Sequence, residues 1–179
     1  MHAVSIDLPR RGVEARPAFA TVAEELLDDV YGYLLYLTRD WALAEDLTSE
    51  TFETALRRFA RFDPRRGSAR AWLLAIARST ALDWLRAERR RRAREEQAEA
   101  RERPLRAESV PGEGLPPELE AGLATLTAGE REVVALRVVL ELDGQETARL
   151  LGISPTAVST RLHRALTKLE ERMRHDDVA

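Results

Sequence analysis

Along most of this chain apolar residues return every three or four positions, the repeat that lines one side of an α-helix. Phe19, Val22, Leu26, Val30, Leu34 and Leu37 make the first stripe, and Leu43, Leu47, Thr51, Ala55 and Phe59 the second. Only Thr38-Arg39-Asp40 lies between them, and so short a connection predicts antiparallel neighbours. The stretch Phe62-Asp63-Pro64-Arg65-Arg66-Gly67-Ser68 then gathers proline, glycine and small polar groups, which predicts a loop whose Ser68 caps the next helix. That helix is expected from Ala69 to about Arg92, with Trp72, Leu73, Ile76, Thr80 and Trp84 inward.

From Glu95 to Pro117 the pattern lapses into charges, prolines and glycines, the composition of an interdomain linker. Leu119, Leu123 and Leu126 restart it. Thr127 with Glu130 forms a capping box ahead of Val133, Val134, Leu136, Val138 and Leu140. Asp143 with Glu146 opens another helix through Ala148, Leu150 and Leu151, and Gly152 allows the left-handed residue that ends it. Ser154 and Pro155 start a last helix carrying Val158, Leu162, Leu166 and Leu169. Neither strand-like alternation nor an internal repeat interrupts this. The expected fold class is all-α, with two small helical domains at residues 18–94 and 118–174, a flexible linker at 95–117, and a disordered tail at 1–17.

Composition narrows the function. Among 179 residues there is no Cys, and the three His (His2, His163, His175) are scattered, so neither a metal site nor a thiol nucleophile is expected. With no Gly-rich phosphate loop and no nameable triad, we expect no catalytic residues, no cofactor and no enzyme activity. No apolar run approaches the roughly 18 residues of a membrane span, and Met1 to Pro17 lacks the apolar stretch of a signal peptide; a cytoplasmic protein without membrane contact is expected. The net charge of -3 argues against holding DNA by bulk electrostatics. Yet arginines cluster at Arg57 to Arg70, Arg86 to Arg94 and Arg161 to Arg174. Such clusters suit bidentate contacts to phosphate and guanine, although a GC-rich genome produces the same bias.

The sharpest local signal is Asp143 to Leu169, a short helix, a Gly turn and a longer capped helix, the order of a helix-turn-helix. With Val158, Leu162, Ala165 and Leu169 inward, Thr156, Ser159, Thr160, His163 and Arg164 face outward as DNA readers, while Arg161 borders the buried stripe. The plain alternative is a helical hairpin with a solvated polar face. In the first half, Trp72, Trp84, Phe62, Tyr31, Tyr33 and Tyr36 lie among arginines, a combination suited to stacking unpaired bases. Trp72 and Trp84, however, fit the inward face of their helix, and tryptophans so placed are more often core than base platforms. Phe62, Arg65 and Arg66 are better placed, because loop residues between packed helices seldom supply the core. The run Arg89 to Arg92 reads either as a phosphate contact or as a helix end favoured by the dipole.

Ala44-Glu45-Asp46-Leu47-Thr48-Ser49-Glu50-Thr51-Phe52, then Phe62 to Ser68, Ala71-Trp72-Leu73 and Ile76-Ala77-Arg78, resemble region two of the extracytoplasmic-function sigma factors. Glu130 to Val134, Leu151-Gly152-Ile153-Ser154 and Val158 to Ala165 resemble region four of the same family. Order and spacing agree from about Glu24 to Arg172. The resemblance implies a promoter-specificity factor for RNA polymerase that helps to open the minus-ten element.

In that family Asp46, Leu47, Glu50 and Phe52 would bind core polymerase, whose beta and beta-prime subunits are the implied partners. Phe62, Arg65, Arg66, Ser68, Ser79 and Arg86 would meet the minus-ten strand of promoter DNA. Thr156, Ser159, Thr160, His163 and Arg164 would read the minus-thirty-five duplex. An anti-sigma protein is a fair expectation. Three departures stand out: Ser79 replaces the usual Asn; Glu141, Gly144 and Thr147 depart from the common lead-in to the helix-turn-helix; and Ser159 replaces a Lys or Arg. The rival is a stand-alone helix-turn-helix regulator with an amino-terminal ligand or protein-binding domain. The basic loop and the segment Asp46 to Phe52 speak against it, since such a domain needs neither.

Overall fold

The computed structural model describes residues 18–99 and 115–176, which are helical with no strand among them. Seven α-helices follow in order: α1 Phe19–Thr38, α2 Trp41–Arg58, α3 Ala69–Glu99, α4 Pro117–Ala124, α5 Ala128–Val134, α6 Gly144–Leu151 and α7 Pro155–Asp176. The tail expected at 1–17 and residues 100–114 of the expected linker lie outside the described residues. Residues 95–99 of that expected linker instead continue α3.

Local chemistry explains the breaks. Arg39 turns left-handed (φ 58°) to close α1, and Asp40 caps α2 by accepting from the Leu43 N–H at 3.0 Å. Ser68 accepts from the Ala71 N–H at 3.1 Å at the start of α3, as its position predicted. α1, α2 and α3 pack together around Val30, Leu34, Leu47, Ala55, Leu73 and Ala77, all essentially buried. Each buried leucine adds about 1.5–3 kcal/mol of transfer free energy. Thr48 and Thr51 enter this core without loss, because their hydroxyls donate to the carbonyls of Ala44 and Leu47 at 2.6 and 2.7 Å.

In the second half both predicted capping boxes form, Thr127 with Glu130 and Asp143 with Glu146. Of the apolar stripe expected after the first of these, Val133, Val134, Leu136 and Leu140 are buried, but Val138 is not. After α5 the backbone widens into a π turn at Ala135–Val139, in which the Leu140 N–H bonds the Ala135 carbonyl. The wider turn shifts the side chains, leaving Val138 50% exposed and adding Leu142 to the buried set beside Leu140.

One apolar cluster spans both halves. Val30, Tyr33, Leu34 and Leu37 share it with Val133, Ala135, Leu136 and Leu140, as α1 packs against α5 and the π turn while α3 packs against α6. Tyr33 is therefore no base-stacking platform: its ring is fully buried, and its hydroxyl donates to Glu132 at 2.9 Å.

Candidate nucleic-acid and polymerase interfaces

The helix-turn-helix is assembled from caps. Asp143 accepts from the N–H groups of Gln145 and Glu146 at 2.7 and 2.8 Å, which holds its carboxyl below the ordinary range, the Glu146 amide contributing most. Gly152 ends α6 at φ 67°, and Ser154 starts α7 by accepting from Ala157 at 3.1 Å. Val158 and Ala165 are buried beneath α7, and Leu162 is half-buried. Thr156, Ser159, Thr160, His163 and Arg164 are all exposed. The Ser159 and Thr160 hydroxyls donate back to the carbonyls of Pro155 and Thr156, each retaining acceptor capacity toward solvent.

The loop before α3 rests on an aromatic floor. Phe62 stacks on Phe59 (centroids 5.8 Å apart, planes at 14°) and lies 5.1 Å from Trp72, while Phe19 joins Phe59 and Phe52 edge-on. All four phenylalanines of the chain thus belong to one cluster. At 8% exposure Phe62 is part of the core, contrary to the expectation for a loop aromatic, because the short turn at Phe59–Arg61 folds it back beneath the loop. Above it Asp63 accepts from the Arg65 N–H at 3.0 Å and leaves Arg65, Arg66 and Ser68 exposed. A cavity of about 410 Å³ opens over this floor, lined on one side by Arg61, Phe62, Arg66 and Trp72 and on the other by Glu146, Arg149 and Leu150 of α6.

On α2, Asp46 and Glu50 are exposed one turn apart. Leu47 is 2% exposed, and Phe52 is half-buried against Phe19. Of the four residues expected to meet polymerase, Leu47 is thereby a packing residue of this chain, turned about 100° from Asp46 and about 60° from Glu50 around the helix, far enough to enter the core while both carboxylates stay exposed.

Sigma-70 region 2 matches residues 22–91, and Sigma-70, region 4 matches residues 118–169. The chain is 33% identical over 153 residues to the ECF RNA polymerase sigma factor SigX of Bacillus subtilis, covering 81% of this chain and 78% of that protein. It is an extracytoplasmic-function sigma factor of the sigma-70 family.

Its function is that of the family, directing RNA polymerase to promoters. CnrH, solved with the cytosolic domain of CnrY, superposes with a TM-score of 0.64 at 25% identity over 88% of each chain. The sigma factor RpoE of Bartonella quintana, solved with the anti-sigma factor NepR, shares the fold at a TM-score of 0.68 and 22% identity, over 87% of this chain and 96% of that one. Among the described residues no helix is long and apolar enough to cross a membrane.

The departures from the family pattern have local consequences in this sigma factor. Ser79 is exposed on α3, where its short hydroxyl reaches less far than an amide. Glu141 holds a left-handed backbone (φ 54°) at the place of the family's usual glycine. Thr147 is fully buried and, among the described residues, its hydroxyl has no hydrogen-bond partner. Arg86 bonds Asp83 at 2.9 Å. Glu88 takes both Arg91 and Arg92, which hold its carboxyl near pKa 2 and neutralise part of the basic run within the helix. The residue sequence reasoning missed is Glu132. It is 7% exposed on α5 and accepts from Tyr33 at 2.9 Å and from the Arg78 guanidinium at 2.7 Å. No periodicity marks it, because its partners lie 99 and 54 positions away.

Proposed function

We propose that the two halves divide promoter recognition between melted strand and duplex. α7 enters the major groove of the minus-thirty-five element with Thr156, Ser159, Thr160, His163 and Arg164. The observation that carries this is the recognition helix itself, capped at Ser154, anchored by Val158 and Ala165, and presenting five polar side chains on its free face. Arg65, Arg66 and Ser68, with Ser79 and Arg86 further along α3, receive the unstacked minus-ten strand, and Phe62 supports them from below. Unstacking costs a few kcal/mol per step, which charge and stacking at such a loop offset in part.

Asp46 and Glu50 dock on the largest subunit of core polymerase. Both are exposed among the described residues, which leaves their carboxylates available to basic groups of a partner. The factor performs no chemistry of its own, works inside the cell, and is held by an anti-sigma protein, as the relatives solved with NepR and with CnrY encourage. The domain limits proposed are 18–94 and 118–174. Run-off transcription with purified core polymerase on a promoter library tests the assignment and reads the consensus together; transcription indistinguishable from core polymerase alone would refute it.

A further inference from the structure

The loop segment Arg65-Arg66-Gly67-Ser68 carries a chemistry besides the one assigned to the minus-ten strand. Arginines three and two places before a serine form a charge pattern by which basic-directed protein kinases choose a hydroxyl, acidic groups of the kinase cleft pairing with both guanidiniums. No other Ser or Thr of the chain has arginine at both places. Arg65, Arg66 and Ser68 are all exposed, and neither guanidinium is engaged in an ion pair or hydrogen bond among the described residues. The Ser68 Oγ accepts from the Ala71 N–H at 3.1 Å, which leaves its own proton without an acceptor among the described residues. Gly67 is extended (φ 159°, ψ 169°), with open space where a side chain would begin. To lie straight in a kinase cleft the segment has only the single turn Pro64–Arg66 to open, held by the bonds of the Arg65 and Arg66 N–H groups to Asp63.

A phosphoryl group at Ser68 suits the fold and opposes a nucleic acid strand. Ser68 stands at the amino end of α3, whose free amides and dipole favour negative charge. Around the cavity that Ser68 lines, Arg61, Arg66 and Arg149 outnumber Asp63 and Glu146. A strand that relies on Arg65 and Arg66 for its phosphates would meet, between them and α3, a new charge of about −1.5 to −2. Resting on the assignment of that loop under Proposed function, we propose that Ser68 is the acceptor of a basic-directed Ser/Thr protein kinase, and that its phosphorylation switches off capture of the minus-ten strand. In that step the Ser68 Oγ attacks the γ-phosphorus of ATP and the bond from that phosphorus to ADP breaks. The hydroxyl proton passes to the catalytic aspartate of the kinase, and ADP leaves.

The test uses the full-length chain, ATP and the catalytic subunit of a kinase that requires arginine at these two places. Mass spectrometry should place the phosphoryl group on Ser68, and the chain with Arg65→Ala and Arg66→Ala should receive little. Reconstituted with core polymerase, the phosphorylated chain should capture single-stranded minus-ten oligonucleotide about tenfold more weakly, the scale of two unit repulsions at contact distance in water. Binding of a minus-thirty-five duplex should be unchanged, and a phosphatase should restore capture. The loss should narrow as salt rises, because ions screen a repulsion and leave the effect of a missing hydroxyl contact in place. Ser68→Asp against Ser68→Asn repeats the comparison without a kinase. Both side chains cap a helix and they differ by one charge, so the Asp variant should capture less.

No phosphoryl group on Ser68 would overturn the acceptor site. Phosphorylated Ser68 with undiminished capture, a loss that salt does not narrow, or a fall in helical content by circular dichroism would overturn the switch. Failure of the unmodified holoenzyme to capture the oligonucleotide would instead overturn the loop assignment, and the acceptor site would still stand or fall on the mass spectrum.

Discussion

Lys168 of α7 donates to both oxygens of Glu130 on α5, at 2.9 and 2.8 Å, in a chain whose other cationic side chains are arginines and histidines. Glu130 is also the capping-box residue that accepts from the Thr127 N–H. One carboxylate thus closes the start of α5 and ties it to the recognition helix.

Lys168 first, and the Thr127 amide next, hold the Glu130 carboxyl at about 2 against an ordinary 4.5. A folded value below the unfolded one stabilises the protein above the unfolded value, and that contribution is lost as pH falls from about 4.5 toward 2. Thermal melts across this window should show Tm falling in the wild type and a shallower fall in Glu130→Gln. Parallel curves would separate Glu130 from the acid transition.

Glu141 is strained by its left-handed backbone just before the Asp143 cap. A non-glycine residue there costs roughly 1–2 kcal/mol, partly offset by the entropy glycine adds to the unfolded chain. Glu141→Gly should therefore raise stability by up to about 1 kcal/mol in urea unfolding, with an unchanged m-value. A loss of stability would mean that the Glu141 side chain makes a compensating contact.

Asp46→Arg with Glu50→Arg should abolish co-purification with core polymerase while helical content stays intact, because reversal at a complementary interface costs several kcal/mol and on a solvated face almost nothing. Leu47→Ala should behave in the opposite sense. Its side chain is in the core, so the expected effect is a loss of about 2–5 kcal/mol of stability, with polymerase binding retained by the folded fraction.

The two DNA sites should fail at different steps. Arg164→Ala should weaken holoenzyme binding to a minus-thirty-five duplex by about 1–3 kcal/mol if the guanidinium makes a bidentate base contact, and leave opening nearly unaffected once bound. Arg65→Ala with Arg66→Ala should lose permanganate-detected melting and capture of minus-ten oligonucleotides while keeping upstream duplex affinity. Equal impairment of one step by both would refute the division of labour.

Much of the chain is legible without coordinates because its decisive signals are local. The caps at Ser68, Thr127, Asp143 and Ser154, the turn at Gly152 and the outward set on α7 each depend on residues within four positions of one another, and the bonds formed match the spacing. Three features are decided by tertiary structure. The π turn at Ala135–Val139 shifts the side chains of an apolar stripe, and no count of residues predicts an extra one in a turn. Phe62 joins the core because Phe59 and Trp72 offer it two aromatic faces, although its neighbours in sequence are those of a loop. Glu132 looks like any helix-surface carboxylate until α1 and α3 bring Tyr33 and Arg78 to it. Hydrogen bonds along a helix close over a few residues and are written in the order of the chain, whereas burying a charge depends on which distant surfaces meet, and that is settled only when the halves pack.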